Sequence, residues 1–337
     1  MVRERVWITV FVLAAMLLPL RAAKAGDPAH ARGMLLVANK YDHTLGIVDP
    51  ESGEEVATVA VDVTGHEVTA SPDGRLAYVP IYGDSGVGMP GSDGHTIHVI
   101  DITARHRVAT IDFGKPTRPH DAKFGPKGLL YVTTELTNSI SVINPRTNRV
   151  VATLPTGQPE SHMLAITHDG KRIYTSNAHA GTVSVIDVPN RKVVAVIPIS
   201  KYAQRISLST DERLAFTADQ TKPQLAVIDT ITNRIKDWVP LPAVAYGTAA
   251  TRDGRWLVAA LPSANKVAVI DLKSMKVART VDVAPDPQEV LVRPDNEVVY
   301  VSSHVGKVSV VNLKTWQVDK SITVGKGSDG LGWARRN

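Results

Sequence analysis

Cysteine is absent from all 337 residues. That absence excludes a disulfide framework, a thiol nucleophile, cysteine-bound zinc and covalent c-type haem attachment. Aromatic residues are scarce at 5%. No basic stripe is interleaved with them, so the stacking platform of a nucleic-acid binder is missing and no nucleic-acid partner is expected. Charge of one sign is also lacking. The formal charge of +5 sits partly in residues 1–25, where Arg3, Arg5, Arg21 and Lys24 face only Glu4. The remainder is close to neutral. What is present is a 43% hydrophobic fraction with 21% charged residues, enough to build a sizeable core and too apolar for a disordered chain.

The one long apolar run, Val6 to Leu20, is broken only by Thr9 and Pro19. Arg3 and Arg5 precede it and Ala23-Lys24-Ala25 follows. A basic start, a short apolar stretch and an A-x-A site form the secretory pattern, and the run is short for a bilayer span. Residues 1–25 are expected to be a signal peptide and 26–337 a single periplasmic or secreted domain, with no membrane contact after cleavage. An uncleaved anchor is the alternative.

A self-match dominates the rest. The phrase "VID", or a close variant, ends at Asp49, Asp101, Asn144, Asp187, Asp229, Asp271 and Asn312, in steps of 52, 43, 43, 42, 42 and 41. A strand-rich period of this length reads as propeller blades. Each unit holds four strand-like segments: Val68-Thr69-Ala70, a Ser71-Pro72-Asp73-Gly74 turn, Leu76 to Val79, Thr96 to Ile100, and Arg107 to Ile111 in the second unit. The third segment carries a small residue in one column, Gly46, Ser141, Ser184, Ala226, Ala268 and Ser309, with His98 as the exception. Close packing between blades requires small residues there. The Asp/Asn at each third-segment end is read as a turn former, because such side chains accept hydrogen bonds from the backbone just ahead. The Asp of each "PDG" turn is read the same way. Residues 33–62 supply only three strands, and Gly330 to Ala334 supply a fourth at the other end. The expected fold is therefore all-β: a seven-bladed β-propeller of four-stranded antiparallel blades, closed by pairing the N- and C-terminal strands in one blade. Two domains split near residue 160 is the alternative, and the uniform period argues against it.

The runs Tyr78-Val79, Tyr131-Val132-Thr133-Thr134, Tyr174-Thr175-Ser176-Asn177 and Tyr300-Val301-Ser302 resemble the YVTN repeat family. Across the length after residue 25 the chain resembles exported YncE-like proteins. The resemblance implies the propeller and export, and is weak for function, since one propeller hosts many activities. The family is similar in strand pattern to the haem d1 domain of nitrite reductases, which has eight blades where this chain has seven.

Ligands of propellers usually bind where loops from all blades converge. Five residues before each "PDG" turn lies a polar column: His66, His120, His162, Gln204, Tyr246, Gln288 and, from the closing strand, Asp329. The next column is Glu67, Asp121, Met163, Arg205, Gly247, Glu289 and Gly330. These residues are expected to ring the channel mouth, with His43, His95, His179 and His304 on the same face. Three functions follow. The first is a binding module recognising a small ligand or a protein partner, with Gln204, Arg205, Tyr246, Gln288, Glu289 and Asp329 as contacts. The second is a hydrolytic or redox enzyme in which His66, His120 and His162 hold a divalent transition metal. There Glu67, Asp121 or Glu289 is the base, and Arg205 or Tyr246 stabilises negative charge. The third is an accessory protein of a periplasmic redox system, on fold analogy. A Gly- and Asp-rich insertion, residues 82–95, reads as a lid or a variable loop.

Overall fold

In the computed structural model, residues 32–84 and 86–336 are described; the expected signal peptide and Ser85 lie outside them. Seven four-stranded antiparallel sheets form, each from strands consecutive in the chain except one. In that exception Ser328–Arg335 pairs with Gly33–Asn39, placing Leu35 opposite Trp333 and Val37 opposite Leu331. The chain ends thus share the first blade, as the missing strand in residues 33–62 requires. Among the described residues no helix is long and apolar enough to cross a membrane.

The apolar residues explain the ring. Seven buried clusters form, one at each junction between neighbouring blades. The junction of the seventh and first blades holds Tyr300, Val308 and Val310 against Leu35, Val37 and Leu331. Middle strands such as Leu130–Thr134 and Trp256–Leu261 are buried at every position, because both faces of a blade meet another blade. Outer strands alternate and expose one side, as in Lys192–Pro198.

The turn chemistry is as the sequence implies. Asp229 Oδ1 accepts the N–H groups of Ile231 and Thr232, and Asp271 Oδ1 those of Lys273 and Ser274. Asp73 Oδ1 accepts from Arg75 N–H. In the small-residue column, a Cβ on Gly46 would strike Glu55 and Asn39. His98 fits that column fully buried, its Nε2 3.0 Å from Asp62 Oδ2.

The innermost strands are not regular. Their register with the second strand shifts at the polar columns in the third, fourth, fifth and seventh blades, between Pro119 and Ala122, Ser161 and Met163, Gln204 and Ser207, and Pro287 and Val290. A bulge frees backbone groups from the ladder and re-aims side chains. The hydroxyl of the YVTN-like motif takes up the freed groups. Thr133 Oγ1 accepts Asp121 N–H at 3.0 Å and donates to His162 C=O at 2.8 Å, on the next blade. Ser302 Oγ accepts Glu289 N–H at 3.0 Å and donates to Asp329 C=O. Thr133→Val is isosteric and leaves both Asp121 N–H and His162 C=O unpaired. We expect it to lower unfolding free energy by about 1–3 kcal/mol, read from urea midpoints at unchanged m-value.

Candidate functional site

The bulged inner strands bring both polar columns to the ring axis and bury them. His66, Glu67, His120, Asp121, His162, Gln204, Arg205, Gln288 and Asp329 are all buried; Tyr246 and Glu289 are partly exposed. The expected open mouth is therefore a packed plug. Two glycines of the second column make it possible. A Cβ on Gly330 would lie 2.6 Å from the Glu67 Cα, and one on Gly247 would lie 2.9 Å from the Glu289 Cα. Neighbouring inner strands consequently touch, and Gly330 N–H donates to His66 C=O at 2.9 Å.

The plug has two halves. In one, three imidazoles pack together, His66 edge-on to His120. His66 Nδ1 lies 3.2 Å from His120 Nε2, and the His120 and His162 ring centroids are 3.8 Å apart. Burial lowers all three pKa values, His66 to about 3, with neighbouring rings and Arg205 adding to the effect at His120 and His162. The rings are thus neutral. Among the described residues, no group of three or more His, Asp or Glu side chains has the geometry of a metal site. The histidines expected to hold a metal are together, with His120 Nδ1 and His162 Nδ1 both buried and unpaired among the described residues.

In the other half Arg205 is the hub. Its Nη1 pairs with Glu289 and, at 3.0 Å, with Glu67 Oε1; its Nη2 lies 2.7 Å from Asp329 Oδ1. Its guanidinium sits 4.8 Å from the centroid of the Tyr246 ring, a cation–π contact. Arg205 is held at φ +52°, a left-handed conformation uncommon outside glycine and costly enough to mark a position fixed by its surroundings. One cation cannot match three carboxyl groups, two of them buried. Burial raises the Glu67 carboxyl well above the carboxylate range and raises Glu289 less, each despite Arg205. Burial would raise Asp329 too, but His304, with its Nε2 3.8 Å from Asp329 Oδ2, and the Arg205 charge hold it low. The cluster therefore keeps a proton on Glu67 and a charge on Asp329. Gln288 and Gln204 are used locally, donating to Asp286 and to the Tyr202 hydroxyl.

Over the histidines the insertion is anchored. Tyr82, its first residue, packs 5.1 Å from His66 and 5.2 Å from His120 between ring centroids. Its hydroxyl donates to Glu135 Oε2 at 2.6 Å. Arg118 bonds Asp93, Glu135 and the Met89 carbonyl. Sequence reasoning missed Arg118 and Glu135, which lie in separate loops and share no repeat position. The other histidines of this face remain peripheral: His179 pairs with Glu160 and His304 with Asp286.

Open space lies on the other side of the plug. A cavity of about 650 Å³ runs along the axis and is lined by Asp121, Lys123, Arg205 and Glu289 at its inner end. Phe124, Ile206, Leu208 and Leu291 form its apolar wall, and His168, Glu212, Arg252 and Arg335 lie at the first-to-second turns. The cavity thus opens on the face opposite the expected one. Lys123 Nζ reaches Asp121 Oδ1 at 3.0 Å, with 40% of the lysine side chain exposed. Residues two apart on a strand share a face, so Asp121 marked Lys123 in the sequence.

Three comparisons bear on this geometry. Residues 82–208 match the family model of the YNCE-like beta-propeller. No curated protein matches. Among solved structures, the chain is similar to a Kuenenia stuttgartiensis hydrazine synthase chain, with TM-score 0.72 and 19% identity over 83% of this chain and 92% of that one. It is also similar to the dihydro-heme d1 dehydrogenase NirN in complex with DHE, with TM-score 0.64 and 17% identity over 93% of this chain and 77% of that one. At these identities the likeness is one of fold.

The neutral imidazoles set a pH dependence. The unfolded chain binds protons near the ordinary histidine value of 6.5, whereas the folded rings do not. Stability present above that pH is therefore lost as pH falls below it, by up to about 1.4 kcal/mol per unit for each ring. Glu67, protonated in the fold, offsets part of the slope. Unfolding free energy is expected to fall from pH 6.5 downward, and His162→Gln to flatten the slope by about one proton. Equal slopes for the variant and the parent would show that His162 is not held neutral.

Proposed function

We propose that this YNCE-like β-propeller is an exported binding module that holds a small ligand in its central cavity. The observation that carries this reading is the cavity itself. Its volume of about 650 Å³ falls within the range of small-molecule sites, roughly 300–1,000 Å³. It has the usual composition of such sites, an apolar wall with a few placed polar groups. Asp121, Lys123, Arg205 and Glu289 stand at the inner end; Arg205 is held from behind by Glu67 and Asp329 of the plug, and Asp121 by the Leu164 N–H. Rigid support of this kind lowers the cost of ordering polar groups around a ligand.

The plug serves as scaffold in this reading. Its histidines are neutral, buried and packed against one another, and the anchored insertion covers them on the far side. Export rests on the N-terminal pattern of residues 1–25. A protein partner would dock on the turn face around the opening, where the ligand enters.

Native mass spectrometry of protein purified from its own compartment tests the reading. The expected result is a retained non-covalent mass of small-molecule size, lost in Thr69→Trp. Thr69 lines the cavity and uses its side chain in no hydrogen bond among the described residues, so the indole fills space without removing a support. Retention of the same mass by a folded Thr69→Trp would place the ligand elsewhere and overturn the reading.

A further inference from the structure

The charges around the cavity are not all in use. Asp121 accepts Leu164 N–H through Oδ2 and pairs with Lys123 through Oδ1, both at 3.0 Å. Glu289 is bound to Arg205. Glu212, near the opening, accepts His168 N–H and lies 2.6 Å from His168 Nδ1. Every acid lining the cavity is thus already held by a protein group. The two rim arginines differ. Arg252 stands in the turn after Thr251, and Arg335 ends the closing strand. Neither guanidinium has a carboxylate within ion-pair distance among the described residues, and both are exposed. Both line the mouth of the one cavity, so two like charges face the same opening. Below this rim comes the apolar wall of Ile206, Leu208 and Leu291.

We infer that the ligand of this cavity is a small organic anion with an apolar body. Its carboxylate or other oxyanion head lies between Arg252 and Arg335, and its body lies against the wall below. The inference rests on the cavity reading and adds the chemical class. Two unpaired guanidiniums at one opening repel until an anion joins them, and guanidinium forks match oxyanions bidentately. An apolar body follows from the wall, since burying a second charge against leucine and isoleucine is unfavourable.

Calorimetric titration with octanoate and with its neutral isostere octanamide separates the two ideas. We expect octanoate to bind at least about tenfold more tightly than octanamide. The Arg252→Gln/Arg335→Gln double variant should lose about tenfold or more of octanoate affinity, with octanamide unchanged. Arg255→Gln, which removes a nearby arginine stacked 4.6 Å over Trp256 and outside the cavity lining, should leave both titrations as they are. Equal binding of the two probes, blocked for both by Thr69→Trp, would overturn the anionic class and leave the cavity site standing. Octanoate binding that survives Thr69→Trp in a folded protein, or no binding of either probe, would overturn both.

Discussion

Every blade of this protein is apolar on both faces, and that constraint governs the rest. A single four-stranded sheet such as residues 161–198 buries its middle strands only when a neighbour covers each side. No blade is stable alone, and an open array would leave two greasy faces exposed. With no cysteine to staple the ends, the ring closes by hydrogen bonding. The strand Ser328–Arg335 enters the first blade beside Gly33–Asn39 and simultaneously packs Leu331 against Tyr300 and Val308 of the seventh. Closure and core formation are thus one event, and each sheet keeps one edge at the axis and one at the outer rim.

Closing seven sheets round one axis crowds the innermost strands, and the sequence answers with bulges, glycines and hydroxyls. The bulges at Pro119–Ala122, Gln204–Ser207 and Pro287–Val290 turn side chains toward the axis. Each bulge frees N–H and C=O groups that would be costly if buried unpaired. Thr133 and Ser302 bind those groups and at the same time reach across to the next blade. At Thr133 and Ser302 the third position of the YVTN-like motif is therefore a cross-blade hydrogen-bonding element, whereas Ser176 Oγ is buried without a partner among the described residues; the aromatic of the motif, as at Tyr78, Tyr174 and Tyr300, is a core residue.

The blade count, the strand order and the shared first blade were legible in the sequence because they depend on periodicity and turn chemistry, which are local. The polar columns were legible too, since His66, His120 and His162 break an apolar pattern at a fixed offset. What they do was not. Whether residues on adjacent blades splay or touch depends on how closely the inner strands approach, and that distance is set by Gly247, Gly330 and the bulges, not by the spacing of the histidines. The depth of the columns was hidden for the same reason, so an expected open ring became a plug. Arg252 and Arg335 were hidden by distance along the chain: one sits in an ordinary turn and the other at the end of the closing strand, and only the ring places them at one opening.

The plug also divides the axis into two unlike ends. On the histidine side, three neutral rings, Tyr82 and the Arg118–Glu135 pair fill the space, and His66 bonds His120 while Tyr82 and Arg118 both bond Glu135. On the cavity side, Arg205, Lys123 and Glu289 reach solvent-accessible volume. Arg205 connects the two, because its guanidinium holds Asp329 and Glu67 in the plug and Glu289 at the cavity wall. A buried ion cluster of this kind is not evidence of stability, since desolvation costs about as much as pairing returns. Its value lies in fixing geometry. The left-handed backbone at Arg205 would relax in a loosely packed site, and it persists because three carboxylates and the Tyr246 ring determine where the guanidinium must be. The inner wall of the cavity is thereby held in one arrangement by the plug.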